Sequence, residues 1–279
     1  MNFKLKMVFT DLDRTLLRDD RTISESDYTS MLRLGQLGII RVIATGRSPY
    51  SVRKVIPESF PIDYIIFSSG AGIYDWRSQK IIRRHHLSSR QVAQAIEILL
   101  ERNTDFMVHA PIPENHRFYF HGDGEDNSDF HQRIKLYRKH ALPLLLPATI
   151  NKSCQIIAIF PGTCYREYLK IMDCLTGVNV IRTTSPLDHR SHWMEIVPEE
   201  VSKALAAAWL AEDLNIPREN TMGIGNDYND EALLEWTGTS FMVANGPAEL
   251  KEKFRCVSSN QENGFSEAVN AELETLSDQ

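Results

Sequence analysis

The stretch Val8-Phe9-Thr10-Asp11-Leu12-Asp13 places two carboxylates directly after a short apolar run. Residues 5–10 form an apolar segment stopped by acidic residues, a pattern that predicts a buried strand. Open α/β sheets bind their ligands at the carboxyl ends of such strands. We therefore expect Asp11 and Asp13 to lie at the ligand-binding edge of a sheet.

Strand and helix patterns alternate outward from this point. Residues 24–37 have helical spacing, with Ser24 as the N-cap and Gly38 as the stop. Residues 39–44 and 64–67 have the apolar pattern of further strands. This alternation predicts parallel β-α-β units, and hence an α/β protein with a doubly wound parallel sheet.

The middle of the chain has a different pattern. Residues 89–102 predict an amphipathic helix with Val92, Ile96 and Leu99 on one face. Residues 156–183 predict another strand-helix-strand unit, and the opening pattern resumes after Trp193. We predict a core of residues 1–82 and 189–279, with residues 83–188 inserted as a separate α/β module.

Composition narrows the classes of function. The chain has 279 residues, 42% hydrophobic and 24% charged, which is ordinary for a globular protein. A formal net charge of −6 argues against non-specific nucleic-acid binding. No apolar run approaches the ~18 residues of a membrane span, and the four cysteines show no C-x-x-C pairing. We expect a cytoplasmic protein with reduced thiols and no nucleic-acid or membrane partner; the pattern does not indicate an oligomeric state.

Four polar clusters follow predicted strands or begin a helix, and each has an ordinary explanation when taken alone. A D-x-D pair also occurs in metal-binding glycosyltransferases and in plain strand-end turns. A Thr-Gly pair can be a capping turn, a lysine near a helix start can be a solvated charge, and an acidic turn can be an N-cap. The clusters are Asp11 with Asp13, Thr45-Gly46-Arg47, Lys203, and Asn226-Asp227-Tyr228-Asn229-Asp230.

Together the clusters supply what phosphoryl transfer requires. Asp11 can attack phosphorus to give an aspartyl-phosphate, and Asp13 can protonate the leaving oxygen and later activate water. Asp11, the Asp13 backbone and the turn at residues 226–230 provide the hard oxygen ligands that suit Mg²⁺. Thr45 and Lys203 can hold the phosphoryl oxygens.

At these residues the chain resembles the haloacid dehalogenase superfamily, and within it the Cof-type phosphatases with a large inserted α/β cap. The resemblance implies a Rossmann-like core, dependence on Mg²⁺, and a cap that selects the leaving group. The matching segments cover nearly the whole chain: Phe9-Thr10-Asp11-Leu12-Asp13-Arg14-Thr15-Leu16, Ala44-Thr45-Gly46-Arg47, Glu195-Ile196-Val197-Pro198, Val201-Ser202-Lys203, Gly225-Asn226-Asp227-Tyr228-Asn229-Asp230 and Val243-Ala244-Asn245-Gly246-Pro247.

The chain departs from the family pattern at three places. Arg14 stands where the family has Gly, so it must fit an ordinary backbone conformation or strain the loop, and its guanidinium could instead reach an anionic substrate. Asn226 precedes Asp227 where the family has Asp directly after the Gly, which leaves either of them as a metal ligand. Asp230 matches the family pattern directly, and Ser69 stands where Asn is common.

The resulting prediction is a Mg²⁺-dependent phosphatase acting on a small-molecule phosphate ester, with sugar phosphates as the default class. Two alternatives stay open: a phosphomutase resembling phosphomannomutase, and a phosphate-ligand-binding or regulatory protein with a weakened site. The predicted metal ligands are Asp11, Asp13, Asn226, Asp227 and Asp230. The predicted substrate contacts are Arg14, Gly46, Arg47, Ser69, Asn229 and Arg190.

Overall fold

The computed structural model describes residues 5–122 and 127–275. It divides into two compact units along the chain. The first comprises the described residues up to Arg83 together with those from Ser202 onward, and the second is Arg84–Val201. Among the described residues, no helix has the length and apolar character needed to cross a bilayer.

A single sheet organises the first unit. Among the described residues it has eight strands, in the spatial order Arg255–Val257, Thr239–Val243, Thr221–Gly225, Met7–Thr10, Ile40–Ala44, Tyr64–Phe67, Gly72–Asp75 and Lys80–Arg84. The first six run parallel, and Gly72–Asp75 turns back antiparallel to Tyr64–Phe67. The strand order reverses at Met7–Thr10, and open α/β sheets bind ligands at such switch points.

The central strands are buried because their residues are apolar on both faces of the sheet. All four residues of Met7–Thr10 are buried, and Met7 and Phe9 pack with Ala207, Leu210 and Leu233 of two helices. This pattern is typical of a parallel strand covered on both sides. The helices of this unit are Glu25–Gln36, Pro49–Val52, Lys203–Asp213, Glu231–Trp236, Ala248–Lys251 and Gly264–Thr275, with 3-10 turns at Ser68–Gly70, Arg218–Asn220 and Tyr228–Asp230.

The second unit has its own sheet and core. In the described part of the chain, six strands lie in the order Asn179–Thr184, His192–Val197, Ile156–Phe160, Phe106–His109, Phe118–His121 and Ala141–Pro143, and Lys152–Ser153 pairs separately with Leu87–Ser88. All adjacent pairs of the larger sheet are antiparallel except the last, which is parallel. The helices are Ser89–Glu101, Ser128–Leu136 and Tyr165–Cys174, with a 3-10 turn at Gly162–Cys164.

The α/β class and the parallel core sheet agree with the prediction, but the return from the inserted module requires a correction. Residues 189–201 were expected in the core, whereas the strand His192–Val197 pairs on both sides within the second sheet. The chain rejoins the first unit at Ser202. An apolar strand pattern specifies burial and direction, but it does not specify which neighbours the strand pairs with.

Acidification is expected to destabilise the second unit through His109. The imidazole is buried, and its Nδ1 lies 2.8 Å from the Asn115 carbonyl oxygen, which can only accept a hydrogen bond. Nδ1 therefore carries the proton, while Nε2 has no hydrogen-bond partner among the described residues. Burial lowers the pKa of His109 to about 3, and the charge of Arg133 adds to the lowering.

The sign follows from proton uptake. Between pH 6.5 and about 3 the unfolded chain holds a proton that folded His109 does not, so stability falls as the pH falls through this window. The slope is about 1.4 kcal/mol per pH unit for one proton, or about 2 kcal/mol between pH 6.5 and 5. Urea denaturation at pH 5 and 7 should show a smaller acid loss in His109→Asn than in the wild type. The exposed His131→Asn serves as the control, and an unchanged acid loss in His109→Asn would contradict the assignment.

Candidate active site

Polar residues meet at one edge of the parallel sheet in the first unit. Asp11 follows the strand Met7–Thr10, Thr45 follows Ile40–Ala44, and Asn226 follows Thr221–Gly225. These three strands are neighbours in parallel register, so their carboxyl ends lie at the same edge. The structure thus brings together clusters that are more than 200 residues apart in sequence.

Lys203 forms the centre of this site. It begins the helix Lys203–Asp213, which Ser202 caps by accepting a hydrogen bond from the Leu205 amide. Its Nζ lies 2.7 Å from Asp11 Oδ1 and 2.6 Å from Asp230 Oδ1, and all three side chains are buried. A third contact, at 3.4 Å, goes to Asn229 Oδ1. One cation therefore faces two buried carboxyl groups, and when both are ionised one negative charge is left for a further cation to balance.

Burial strongly affects how these groups titrate. Burial raises the pKa of Asp11 to about 8, with Asp230 and Asp13 adding to the increase, although Lys203 lowers it. Burial by itself lowers the pKa of Lys203, but the carboxylates of Asp11 and Asp230 together raise it above its ordinary value. Lys203 therefore stays charged, and the ionised form of Asp11 is held at a cost that another nearby cation would reduce.

The carboxylate of Asp13 is bound by Arg47. Arg47 Nη2 donates to Asp13 Oδ1 at 2.6 Å and Nε donates to Oδ2 at 2.7 Å, a bidentate pair at a partly exposed position. The main chain of Asp13 faces the other way, because its carbonyl oxygen lies beside Asn226. Arg47 was predicted to contact substrate, and in the structure its guanidinium holds the predicted acid-base residue.

Asn226 is the residue of the 226–230 turn that reaches Asp11. One atom of its side-chain amide lies 3.3 Å from Asp11 Oδ2, 3.2 Å from the Asp13 carbonyl oxygen and 3.2 Å from Thr15 Oγ1. With the amide oxygen in this place, three oxygens from Asp11, Asp13 and Asn226 converge. Oxygen ligands about 3 Å apart fit around a cation of the size of Mg²⁺. The residues present therefore fit the magnesium ion that the family resemblance implies.

Asp227 and Asp230 have other contacts. Asp227 caps the 3-10 turn Tyr228–Asp230, with its side chain accepting from the backbone of Asp230. Asp230 Oδ2 accepts from the amides of Asn226 and Asp227 at 2.9 and 3.1 Å, while Oδ1 binds Lys203. The oxygens of Asp230 are thus taken by three donors, in contrast to the direct metal contact that the sequence predicted for it.

Thr45 and Gly46 follow the strand Ile40–Ala44, and the turn that carries Ser69 is bonded to Thr45. Thr45 Oγ1 accepts from the Arg47 amide at 3.1 Å and keeps its own proton for donation. The amide of Ser69 donates to the Thr45 carbonyl at 3.0 Å. The hydroxyl of Ser69 is buried and, in residues 5–122 and 127–275, has no hydrogen-bond partner. Such an orphaned donor is suited to a ligand oxygen.

The turn that carries Ser69 has an unusual backbone. Ser68, Ser69 and Gly70 have φ values of 47°, 52° and 107°. A Cβ at Gly70 would lie 2.2 Å from the Ser202 carbonyl oxygen, so only glycine lets this turn approach the start of the Lys203 helix. Left-handed backbone at serine costs free energy and is typical of functional sites.

Arg14 also has a left-handed backbone. Its φ is 59°, the conformation that the family's glycine adopts without strain, so the loop is strained at this residue. Asn245 Nδ2 donates to the Arg14 carbonyl at 2.8 Å, and Asn245 Oδ1 accepts from the Asn260 amide. The Arg14 guanidinium lies 3.7 Å from Asp19 Oδ1. The roles of Asn245 and Asn260 as supports of this loop could not be predicted, because contacts so distant along the chain leave no local signal in the sequence.

Arg190 belongs to the second unit. It is exposed, and its backbone amide donates to Asp188 Oδ1 at 2.9 Å within a tight turn. The structure thus collects the other predicted site residues in the first unit. Thr15, which contacts the Asn226 amide, is a further site residue that the sequence did not indicate, although it lies only four residues after Asp11.

Comparison with known proteins places the chain in a family. Residues 8–269 match the sequence model of the haloacid dehalogenase-like hydrolases. This match covers most of the chain, so the chain belongs to that family.

Individual relatives have low sequence identity to this chain, but the similarity extends over nearly the whole of both chains. The 5-amino-6-(5-phospho-D-ribitylamino)uracil phosphatase YitU of Bacillus subtilis (strain 168) is 23% identical over 272 residues, covering 95% of this chain and 96% of the relative. BT1666, a phosphatase of the same superfamily from Bacteroides thetaiotaomicron, has a TM-score of 0.78 at 19% identity, covering 96% of this chain and 95% of its own. The subclass IIB sugar phosphatase BT4131 has a TM-score of 0.74 at 15% identity, covering 95% and 98%.

These findings confirm the resemblance that the motifs carried. The chain has the haloacid dehalogenase fold, with an α/β core and an inserted α/β unit, and it is a phosphoric monoester hydrolase of the Cof type.

Proposed function

We propose that the chain is a Mg²⁺-dependent phosphatase of small phosphorylated metabolites, with Asp11 as its nucleophile. The observation that carries the proposal is the position of the Asp11 carboxylate. Its Oδ1 is held by Lys203, and its Oδ2 faces the Asp13 carbonyl and the Asn226 amide. Asp11 Oδ1 is therefore fixed on the Lys203 ammonium, and Oδ2 faces the other oxygens that are suited to bind a metal.

The Mg²⁺ ion would be held by Asp11 Oδ2, the Asp13 carbonyl and Asn226 Oδ1. When bound, it supplies positive charge against the phosphoryl oxygens. Lys203 supplies a second positive charge, and Thr45 and Ser69 supply hydroxyl donors. Asp230 then acts through Lys203, because its carboxylate positions the ammonium next to Asp11.

The reaction proceeds in two steps on the chain's own residues. The Asp11 carboxylate attacks phosphorus, the bond to the ester oxygen breaks, and Asp13 gives a proton to the departing alkoxide. Water then attacks the aspartyl-phosphate, Asp13 takes its proton, and the bond between phosphorus and Asp11 breaks to release phosphate. Before the first step, the Asp13 carboxyl must leave Arg47, take a proton from solvent and turn to the ester oxygen.

We further propose sugar or sugar-alcohol phosphates as the substrate class. YitU acts on a phosphorylated ribityl compound, and BT4131 is a sugar phosphatase. Both names describe a phosphate ester on a hydroxylated carbon chain. The proposed reaction requires only an ester oxygen that Asp13 can protonate. Sugar and sugar-alcohol phosphates meet this requirement.

A panel of phosphate esters tests the proposal. With Mg²⁺ the wild type should release inorganic phosphate from sugar or sugar-alcohol phosphates, and EDTA should abolish release. Isomerisation of a hexose phosphate without phosphate release would indicate the phosphomutase alternative. Thermal stabilisation by an ester that is never hydrolysed would indicate the binding-protein alternative.

A further inference from the structure

The Asn226 side chain presents one amide atom to three polar groups at once. That atom lies within 3.2–3.3 Å of Asp11 Oδ2, the Asp13 carbonyl oxygen and Thr15 Oγ1. The Asp13 carbonyl can only accept hydrogen bonds, and so can Asp11 Oδ2 when Asp11 is ionised. The Thr15 hydroxyl can donate or accept. The two ends of the amide have nearly the same shape and opposite hydrogen-bonding character.

The two orientations have different requirements. With the nitrogen inward, the amide donates hydrogen bonds to Asp11 Oδ2 and to the Asp13 carbonyl, and Thr15 is a third partner. With the oxygen inward and Asp11 ionised, only Thr15 can donate to it, and the oxygens of Asp11, Asp13 and Asn226 face one another. Three converging acceptors repel unless a cation lies between them.

We propose that Asn226 is a two-position residue that exchanges its amide nitrogen for its oxygen when Mg²⁺ binds. This inference rests on the proposed magnesium-dependent function. In the nitrogen-inward position the amide takes the place of the cation, because it donates to the oxygens that the cation would bind. The site then keeps its arrangement at low Mg²⁺ concentration, and the metal must compete with two hydrogen bonds.

Asn226 stands where the family has Asp, and only the amide can take both positions. A carboxylate at position 226 has no donor, so it could bind the cation but could not replace it. It would also add a negative charge next to Asp11 and Asp230, which both pair with Lys203. Asn226→Asp should therefore bind Mg²⁺ more tightly and be less stable without it.

Calorimetric titration with Mg²⁺ alone, together with thermal denaturation, tests this inference without relying on turnover. Asn226→Asp should bind Mg²⁺ at least about tenfold more tightly than the wild type, because the ligand charge increases. In EDTA it should melt at least about 3 °C lower, and Mg²⁺ should raise its Tm more than that of the wild type. Asp227→Asn is the matched control; it changes a neighbouring carboxylate that caps the turn, and should alter Mg²⁺ affinity less than twofold.

The amide itself offers a spectroscopic readout. In a ¹⁵N-resolved NMR spectrum, the side-chain NH₂ pair that is missing from Asn226→Asp belongs to Asn226. In the wild type in EDTA its protons should exchange slowly with solvent, and on adding Mg²⁺ the pair should shift and lose this protection. Asn226→Ala should lower both the Tm in EDTA and the Mg²⁺ affinity, since it removes both ends of the amide.

The outcomes separate this inference from the proposed function. Equal Mg²⁺ affinity and equal EDTA melting in the wild type and Asn226→Asp would overturn the two-position role, even in an active enzyme. Retention of both properties by Asn226→Ala would do the same if the aspartate variant does not fold. Absence of Mg²⁺ binding and of ester hydrolysis in the wild type would instead overturn the proposed function.

Discussion

An Asp11→Asn variant is expected to lose turnover by at least about 10³-fold while keeping its fold. An amide cannot form the aspartyl-phosphate, since it is a far weaker nucleophile than a carboxylate. The volume of the side chain is unchanged, and the new Oδ1 can keep the contact with Lys203 that Asp11 Oδ1 makes at 2.7 Å. The new Nδ2 lies where Asp11 Oδ2 meets the Asn226 amide, and it can donate to that residue's oxygen.

The stability of this variant is as informative as its activity. Burial raises the pKa of Asp11 to about 8, so at neutral pH folding requires Asp11 either to take up a proton or to keep a buried charge, and both cost free energy. Replacing it with a neutral amide should leave the Tm in EDTA equal to that of the wild type or above it. Active sites commonly trade stability for function in this way. Steady-state phosphate release and thermal denaturation measure the two properties.

Two comparisons make the Asp11→Asn result specific. Acid quenching during turnover should trap a phosphorylated protein in the wild type and none in the variant. Asp20→Asn makes the same chemical change at an exposed site, where the carboxylate accepts from Thr22, and should leave turnover unchanged. Near-normal activity in Asp11→Asn would rule out the covalent mechanism.

The placement of the site could be predicted from the sequence because it depends on strand ends. Asp11 and Thr45 each follow an apolar run, and parallel neighbours bring such ends together. The same argument places Asn226 beside Asp11. The role of Lys203 could be predicted only from the order of the motifs along the chain. Nothing in its local sequence indicates that a lysine at the start of a helix will be buried.

The orientation of individual side chains could not be predicted. Asn226 and Asp227 are adjacent in sequence, yet one faces Asp11 and the other caps the following turn. Arg47 is spaced to contact substrate but binds Asp13 instead. These choices depend on rotamers and on partners distant along the chain, and a sequence pattern encodes neither.

Lys203→Met is expected to have a large effect on stability as well as abolishing turnover. Lys203 is the only cation that the described contacts place on Asp11 and Asp230, at 2.7 and 2.6 Å, and all three side chains are buried. Methionine fills a similar volume but leaves two buried carboxylates uncompensated. Removing one partner of a buried ion pair costs about 3–5 kcal/mol. Urea denaturation of the wild type and the variant measures the loss.

The pH dependence and two further variants separate charge from packing in this result. Burial already raises the pKa of Asp11, and losing Lys203 removes the group that lowers it. A carboxyl whose pKa is higher in the folded than in the unfolded state loses stability as the pH rises, until the pH reaches the folded pKa. In the wild type this loss ends near the Asp11 pKa of about 8, whereas in the variant it continues, so the deficit should be larger at pH 9 than at pH 7. Adding Asp230→Asn to Lys203→Met should recover much of the stability but no activity, because the charge pair near Asp11 is still missing.

Lys170→Met is the surface control. It breaks an exposed pair with Glu167 and should change stability by less than about 1 kcal/mol. A deficit in Lys203→Met that is the same at both pH values and persists in the double variant would show that Lys203 stabilises the fold through packing and not through its charge.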